Sequence, residues 1–271
     1  MTTGTQGETK PPPGSAAPAD AAPPDRRDPV DRPSPVWKTV RLLVRVWATL
    51  AFDLKVYGVR NVPTSGGVLI VSNHQGNLDP PLLGVRLPRP MSYMAKSELF
   101  RRRWFAWLIR SLGAFPVKQG TGDVGAIKET VSRLQEGRVL NIFPEGSRTE
   151  TGEIGPMLPG AALVVRRAGV PVVPAAIVGS YEAWPKGKKM YRRHPVRIAY
   201  GPPIDLKGLK PDQIMAAMDQ AIRTLFDRLR SGQMTDRLAE APLKLKLPEA
   251  AASGPLSPPR ERVRLRGERS K

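Results

Sequence analysis

Short apolar stretches alternate with stretches of helical periodicity between residues 58 and 232, and this alternation restricts the chain to few architectures. The strand candidates are residues 67–72, 91–95, 138–143, 172–178 and 196–200. The helix candidates are residues 81–86, 122–136, 159–168 and 211–231. Such a pattern predicts an α/β fold: a single domain with a mixed, largely parallel sheet that is flanked by helices.

The two ends of the chain differ from this central domain in composition. Residues 1–35 are rich in Pro, Ala and Gly and contain almost no large apolar side chain, so they are predicted to be a disordered tail. Residues 233–271 are predicted to be a low-complexity basic tail, because Pro, Ala and Ser return from residue 241 and closely spaced arginines end the chain.

The charge of the chain indicates an anionic partner. The 271 residues carry a formal net charge of +19, which suits nucleic acid, anionic lipid or a phosphorylated substrate. No nucleic-acid-binding motif accompanies the charge, so we expect no nucleic-acid partner. The absence of cysteine excludes disulfides and a thiol nucleophile, and it fits a protein on the cytosolic side of a membrane. We recognise neither a transmembrane run nor a signal peptide.

Residues 36–57 are predicted to contain an amphipathic helix that lies at a membrane interface. Lys38, Arg41 and Arg45 fall on one helical stripe. The other side is apolar, with Trp37, Val40, Leu43, Val44, Trp47, Leu50 and Ala51. A helix of this kind either lies in the headgroup region or packs on the domain, and its own residues leave both possibilities open.

A second segment favours the membrane. Arg101, Arg102 and Arg103 stand directly before Trp104, with Trp107 one helical turn further on. Aromatic rings favour the headgroup level, and arginine can bury its stem while its charge stays with lipid phosphates. The two segments together predict a peripheral or monotopic protein on an anionic membrane surface, at the cytoplasmic face.

A histidine and a carboxylate follow the first apolar strand candidate. The run 68–71 leads into a polar stretch that contains His74 and Asp79, five positions apart. This spacing suits a general-base pair, because imidazole titrates near neutral pH and a carboxylate can fix its tautomer. A structural histidine or a loop cap explains the same spacing taken alone. The only other histidine, His194, stands in a basic loop and is predicted to lie on the surface.

A second polar turn follows the strand candidate 139–143. Pro144 ends the strand, and Gly146 permits a tight turn whose backbone N–H groups can bind an anion. Ser147 adds a hydroxyl, and Arg148 adds a planar guanidinium suited to phosphate. A polar turn with a solvated arginine is the alternative interpretation.

The order of these motifs resembles the glycerolipid acyltransferases, specifically the bacterial 1-acyl-sn-glycerol-3-phosphate acyltransferases (lysophosphatidate acyltransferases). The resemblance covers roughly residues 36–230, and its blocks are Asn73-His74-(x4)-Asp79, Phe143-Pro144-Glu145-Gly146-Ser147-Arg148 and Val170-Pro171-Val172-Val173-Pro174-Ala175-Ala176-Ile177. A looser block ends at Lys118, where the family usually has arginine. Because lysine replaces a bidentate fork by a point charge, this departure leaves the acceptor headgroup open.

The resemblance implies acyl transfer from acyl-CoA or acyl-carrier protein to the free hydroxyl of lysophosphatidate. His74 would be the general base and Asp79 would orient it; the oxyanion would be bound by N–H groups within 74–77 or 144–147. The acceptor would be held by Lys118, Glu145, Gly146, Ser147 and Arg148, with the alternative that Glu145 caps or braces its loop. The scheme needs no metal, and no cofactor beyond the acyl donor. The alternatives are another lysolipid or a glycolipid as acceptor, or a membrane-surface lipid-binding protein without catalysis.

Overall fold

The computed structural model describes residues 33–117 and 124–247, so the predictions for the N-terminal 32 residues, for the C-terminal 24 and for Lys118 lie outside the described residues. The strands are β1 (Lys55–Tyr57), β2 (Val68–Ser72), β3 (Met91–Lys96), β4 (Ala114–Val117), β5 (Val139–Ile142), β6 (Val172–Val178) and β7 (Arg197–Tyr200). The helices are α1 (Pro35–Phe52), α2 (Asp79–Gly84), α3 (Arg103–Ser111), α4 (Val124–Gln135), α5 (Gly160–Ala168), α6 (Ser180–Ala183), α7 (Pro211–Arg230) and α8 (Asp236–Glu240).

The strands form one seven-stranded sheet in the order β1-β7-β6-β2-β5-β3-β4. Every neighbouring pair is parallel except β6 and β7, which are antiparallel. The predicted α/β fold with a mixed, largely parallel sheet is therefore confirmed. The central strands β2, β5 and β6 are apolar along nearly their whole length, as strands covered on both faces must be.

Two hydrophobic layers cover the sheet, and β2 shows how the strands serve both. Leu69 and Val71 point into the layer formed with α4, α5 and α7. Val68 and Ile70 point into the layer formed with α1 and α2. This alternation follows from the two-residue period of a strand. The sheet is thus fixed between two helical layers, and only its edges are left for a site.

The amphipathic helix is shorter than the predicted range 36–57. It ends at Phe52, and Asp53 takes a left-handed conformation with φ of 42°. Residues 55–57 are strand β1, which pairs with β7 at the edge of the sheet. The prediction was wrong here because a three-residue strand is too short to show a period of its own.

One side of α1 packs on the domain and another side does not. Trp37, Ala48 and Phe52 are buried, whereas the apolar residues exposed to 49–68% are Leu42, Leu43, Val46 and Leu50. In α3, Ala106 and Ile109 are buried, but Trp104 and Trp107 are 66% and 59% exposed. The domain therefore covers only part of the apolar surface of each helix. None of the helices in the described ranges is long and apolar enough to span a membrane.

The predicted tail 233–271 begins with residues that belong to the domain. Met234 and Ala239 are buried, and Thr235 caps α8. The carboxylate of Asp236 accepts the N–H of Gly58 at 2.8 Å, and the Asn61 amide bonds the carbonyl oxygens of Tyr200 and Ala239. The prediction was wrong for residues 233–247, because the local composition carries no sign of these long-range contacts.

This packing can be tested with a pair of neighbouring substitutions. In Ala239→Glu, a carboxylate replaces a fully buried methyl group, and we expect a loss of about 2 kcal/mol or more in the free energy of unfolding. Leu238→Glu is the control, since Leu238 is 38% exposed, and its effect should stay within about 0.5 kcal/mol. Urea unfolding followed by circular dichroism measures both. If the two variants unfold at the same urea concentration, residues 233–247 do not pack on the domain and belong to the tail.

Candidate active site

Three of the sequence blocks meet at one edge of the sheet. Strand β2 lies between β5 and β6 and pairs in parallel with both, so the carboxyl ends of the three strands lie side by side. The His74 loop (residues 73–78) follows β2, the Arg148 turn (residues 144–149) follows β5, and α6 follows β6. The carboxyl edge of a parallel sheet is the usual place for a site in α/β folds.

The predicted histidine and aspartate are in contact. The Nδ1 atom of His74 lies 2.7 Å from Oδ2 of Asp79, whose side chain is completely buried. The same Oδ2 accepts the backbone N–H groups of Gln75 at 2.6 Å and Gly76 at 2.8 Å. Because Oδ2 already accepts these two N–H groups, it faces Nδ1 as an acceptor too, and a proton on Nδ1 leaves the lone pair of the imidazole on Nε2.

The imidazole ring is held from the side as well. Phe143, the residue after β5, stacks on His74 with ring centroids 3.8 Å apart and an interplanar angle of 13°. The side chain of His74 is 17% exposed, so the ring is largely enclosed but reachable. The stacked ring and the bond at Nδ1 together fix the orientation of Nε2, which is the arrangement that a general base requires.

A third side chain touches the aspartate, and none of the sequence motifs indicates it. The hydroxyl of Ser180, at the first position of α6, lies 2.5 Å from Oδ1 of Asp79 and is fully buried. It also lies 3.4 Å from Oε1 of Gln75. A polar residue just after an apolar strand was the one available signal, and it is a weak one, because most strand ends look the same.

The His74 loop is clamped to the end of β6. Asn73 forms two hydrogen bonds of 2.9 Å with the backbone of Ile177, one through its amide nitrogen and one through its oxygen. A Cβ atom on Gly76 would stand 2.8 Å from the carbonyl oxygen of Ser180, so only glycine fits against α6. The shape of this loop therefore depends on a strand that is about 100 positions away in sequence.

Glu145 braces the two loops. Its Oε1 accepts the N–H of His74 and its Oε2 accepts the N–H of Gly155, both at 2.8 Å. Burial raises the pKa of this carboxyl, and the two N–H groups and His74 offset part of that shift. Glu145 was predicted among the acceptor-binding residues, but both of its oxygens bond backbone N–H groups in the structure. Its position is that of a support for the site.

The Arg148 turn lies against the His74 loop. The Nη1 atom of Arg148 donates to Oδ1 of Asn77 at 2.6 Å, and the N–H of Thr149 donates to the carbonyl oxygen of His74 at 2.9 Å. Gly146 has a φ of +69°, and a Cβ there would come 2.4 Å from the side chain of Leu158. The His74 loop and the Arg148 turn are thus joined directly by hydrogen bonds. Neither sequence motif taken alone predicts these bonds.

A pocket of about 360 Å³ lies beside this turn. Its walls include Glu145, Ser147, Arg148, Thr149, Gly155 and Leu158. His74 lies next to it, because its carbonyl oxygen bonds Thr149 in the pocket wall. The pocket has room for a polar headgroup, and the Arg148 guanidinium supplies its positive charge.

The hydrogen bonds narrow the choice of oxyanion donors. The N–H of His74 is taken by Glu145, those of Gln75 and Gly76 by Asp79, and that of Gly146 by the carbonyl oxygen of Phe143. Pro144 has no N–H. In the described part of the chain, the N–H groups of Asn77, Glu145 and Ser147 have no acceptor, and of these three residues only Asn77 and Ser147 are exposed. These two remain available to a ligand.

His194 takes no part in this arrangement. Its Nδ1 lies 3.1 Å from the carbonyl oxygen of Pro195, and it bonds none of the site residues. Lys118, the remaining predicted site residue, lies outside the described residues and follows the last residue of β4.

Comparison with known proteins places this geometry in a family. The sequence pattern of the family described as Acyltransferase matches residues 53–178. A 1-acyl-sn-glycerol-3-phosphate acyltransferase of Bacillus subtilis is 32% identical over 192 residues, which cover 69% of this chain and 94% of the relative. A lyso-ornithine lipid O-acyltransferase of Pseudomonas aeruginosa is 31% identical over 216 residues, which cover 73% of this chain and 81% of the relative.

A solved structure agrees in fold. The crystal structure of the 1-acyl-sn-glycerophosphate (LPA) acyltransferase PlsC from Thermotoga maritima superposes with a TM-score of 0.62 at 26% identity, and it covers 72% of this chain and 80% of that chain. The matches include the strands β2, β5 and β6 that carry the site. On this evidence the chain belongs to the glycerolipid acyltransferase family, a family of O-acyltransferases that includes the bacterial 1-acyl-sn-glycerol-3-phosphate acyltransferases.

Proposed function

We propose that the protein transfers an acyl chain from acyl-CoA or acyl-carrier protein to the free hydroxyl of lysophosphatidate and so forms phosphatidate. The observation that carries the proposal is the contact between His74 and the buried Asp79, with the Arg148 turn bonded to the same loop. His74, as the proton acceptor, and Arg148, as the phosphate-binding group, therefore lie on two loops that are in direct contact. The names of the Bacillus subtilis and Thermotoga maritima proteins support lysophosphatidate as the acceptor.

The reaction needs one base and no protein nucleophile. Nε2 of His74 takes the proton of the acceptor hydroxyl as its oxygen attacks the thioester carbonyl carbon. The tetrahedral oxyanion then collapses: the carbon–sulfur bond breaks, the thiolate leaves, and the imidazolium returns the proton to the sulfur. Asp79 stabilises the imidazolium between these steps. General-base catalysis of this kind contributes on the order of 10²–10⁴-fold in rate.

The remaining rate enhancement comes from binding and positioning. The free N–H groups of Asn77 and Ser147 are the donors proposed for the oxyanion. Arg148 uses Nη1 on Asn77, which leaves its other nitrogens for the acceptor phosphate. Gly146 shapes the turn, and Lys118 is proposed to add a second positive charge to the phosphate site.

A different lysolipid acceptor is the second candidate, and two observations favour it. Lys118 stands where the family usually has arginine. The Pseudomonas aeruginosa relative, which is named for lyso-ornithine lipid, is about as similar to this chain as the lysophosphatidate acyltransferase of Bacillus subtilis. The chemistry at His74 is the same for either acceptor, so the two candidates differ only in the headgroup pocket. The intact His74–Asp79 pair argues against a lipid-binding protein without catalysis.

We further propose that the protein binds the cytoplasmic face of an anionic membrane as a peripheral or monotopic enzyme. The exposed apolar residues of α1 (Leu42, Leu43, Val46 and Leu50), with Trp104 and Trp107 of α3, are the surfaces proposed to enter the lipid. Helix α1 ends at the site edge of the sheet, since Val196, just before β7, bonds the carbonyl oxygen of Phe52. The acceptor could therefore reach His74 without leaving the bilayer surface.

The acceptor is tested with a panel of lysolipids and one labelled acyl-CoA. We expect lysophosphatidate to be acylated fastest, and Arg148→Ala to raise its KM by about 10- to 100-fold, the effect of losing a charge-assisted hydrogen bond. Arg166→Ala, an exposed arginine on α5, is the matched control and should leave KM unchanged. Preferential acylation of a lysolipid without a phosphomonoester would favour the second candidate. Failure to acylate any lysolipid, with either donor, would refute both.

The membrane surface is tested by flotation with vesicles that contain anionic lipid. Changing Leu42, Leu43, Val46 and Leu50 to serine should abolish flotation while the fold is retained, because these side chains are 49–68% exposed and lie outside the buried core. The control is Val124→Ser with Leu163→Ser, two exposed apolar residues of α4 and α5 on the opposite helical layer. Flotation that survives in the first variant, or that is lost equally in the control, would remove α1 from the lipid contact.

A further inference from the structure

The sequence block 170–177 has so far had no chemical role. It forms β6, and the chain continues directly through Gly179 into Ser180. We propose that the end of β6 supports the His74 loop and that Ser180 is a positioning residue, whose hydroxyl holds Asp79 as the carboxylate that orients His74. The proposal rests on the function proposed above, because it concerns the same general base.

The bonds of Asp79 divide unequally between its two oxygens. Oδ2 has three donors: Nδ1 of His74 and the N–H groups of Gln75 and Gly76. Oδ1 has a single donor among the described residues, the hydroxyl of Ser180. A buried carboxylate is costly unless both oxygens are bonded. The Ser180 hydroxyl therefore supplies a hydrogen bond to Oδ1, the carboxylate oxygen that has no donor in the His74 loop.

The proton of the hydroxyl points to Asp79. Two acceptors lie within reach of the Ser180 oxygen, Oδ1 of Asp79 at 2.5 Å and Oε1 of Gln75 at 3.4 Å. The amide nitrogen of Gln75 is used on the carbonyl oxygen of Gly152 at 2.8 Å, which turns Oε1 toward Ser180. Since the shorter contact is to the charged oxygen, the hydroxyl donates there.

The backbone fixes this hydroxyl in place. Gly179 has a φ of +91°, and a Cβ there would lie only 2.0 Å from the carbonyl oxygen of Pro195. The turn is closed by bonds from Ala183 to Gly179 and from Trp184 to Ser180. Asn73 is bonded to Ile177, which lies three residues before Ser180 in the chain. The His74 loop and Ser180 are therefore both held at the carboxyl end of β6.

Loss of the Ser180 hydroxyl would leave His74 in place but would weaken the support of Asp79, which orients it. Oδ1 would be left buried without a donor, so the carboxylate would be free to rotate away from Nδ1 of His74. The charged groups around Asp79 are His74 and, beyond the His74 backbone, Glu145, which in turn faces Arg223. None of these replaces the hydroxyl, because none contacts Oδ1.

The test compares Ser180→Ala and Ser180→Thr with Ser92→Ala, which removes another buried serine hydroxyl, in β3. We expect kcat of Ser180→Ala to fall by about 10- to 100-fold and the acceptor KM to change by less than about twofold. Ser180→Thr, which keeps the hydroxyl, should recover much of kcat, and Ser92→Ala should behave like the wild type. An unchanged kcat in Ser180→Ala, or an equal loss in both Ser180 variants, would overturn the proposal.

A second measurement does not depend on acyl transfer. The protein has two histidines, so ¹⁵N-histidine labelling gives two ring systems, and His194→Gln assigns them. We expect a protonated Nδ1 with a far-downfield proton for His74 in the wild type, and its loss or a clear shift in Ser180→Ala. An unchanged His74 signal would overturn the proposal whatever the activity shows. A changed signal in a protein that acylates no lysolipid would instead refute the proposed function and leave the contact intact.

Discussion

The carboxylate of Asp79 is completely shielded from solvent, and four hydrogen-bond donors surround it. A carboxylate in that position is tolerated only when its lone pairs are bonded, so the donors and the fold that supplies them are inseparable. Three of the donors come from the loop after β2, and the fourth comes from the turn after β6. The parallel pairing of β2 with β6 brings them together, which makes the centre of the sheet a part of the site.

The same constraint explains the Arg148 turn. Glu145, in the Arg148 turn, has a buried carboxylate that accepts the backbone N–H of His74. Asn77 and Thr149 add two more links between the loops. His74 and Arg148 are therefore positioned by one network of hydrogen bonds, and a displacement of either loop would move both side chains. This coupling suits a reaction in which the acceptor must present its hydroxyl and its phosphate together.

The sequence predicted the parts of the site whose signal is local. His74, Asp79 and the turn at Gly146 were recognisable because each follows an apolar strand and has a chemically suitable side chain. Ser180 was missed, since its role exists only because β6 lies beside β2, and no local pattern encodes that neighbour. Glu145 was recognised, but the sequence left its role open between acceptor contact and loop support, because a carboxylate in a turn can face a ligand or a backbone N–H equally well.

The fold shows the same division. The strands β2, β3, β5, β6 and β7 were predicted nearly in full, whereas β1 and β4 were missed, because β1 has only three residues and β4 contains Pro116. Helix α1 was predicted as amphipathic, and the open question was whether it packs on the domain. The structure shows that it does so through Trp37, Ala48 and Phe52 and still exposes its leucines, an outcome that a helical wheel cannot resolve.

The claim that a buried carboxylate orients the base is tested most directly by kcat of Asp79→Asn. The substitution keeps the shape of the side chain but replaces one acceptor oxygen by an amide donor, so the imidazole would be held in the wrong tautomer. We expect kcat for acyl transfer to fall by about 10³–10⁴-fold with little change in the acceptor KM. A variant that folds normally and keeps kcat within about twofold of the wild type would contradict this account of the site.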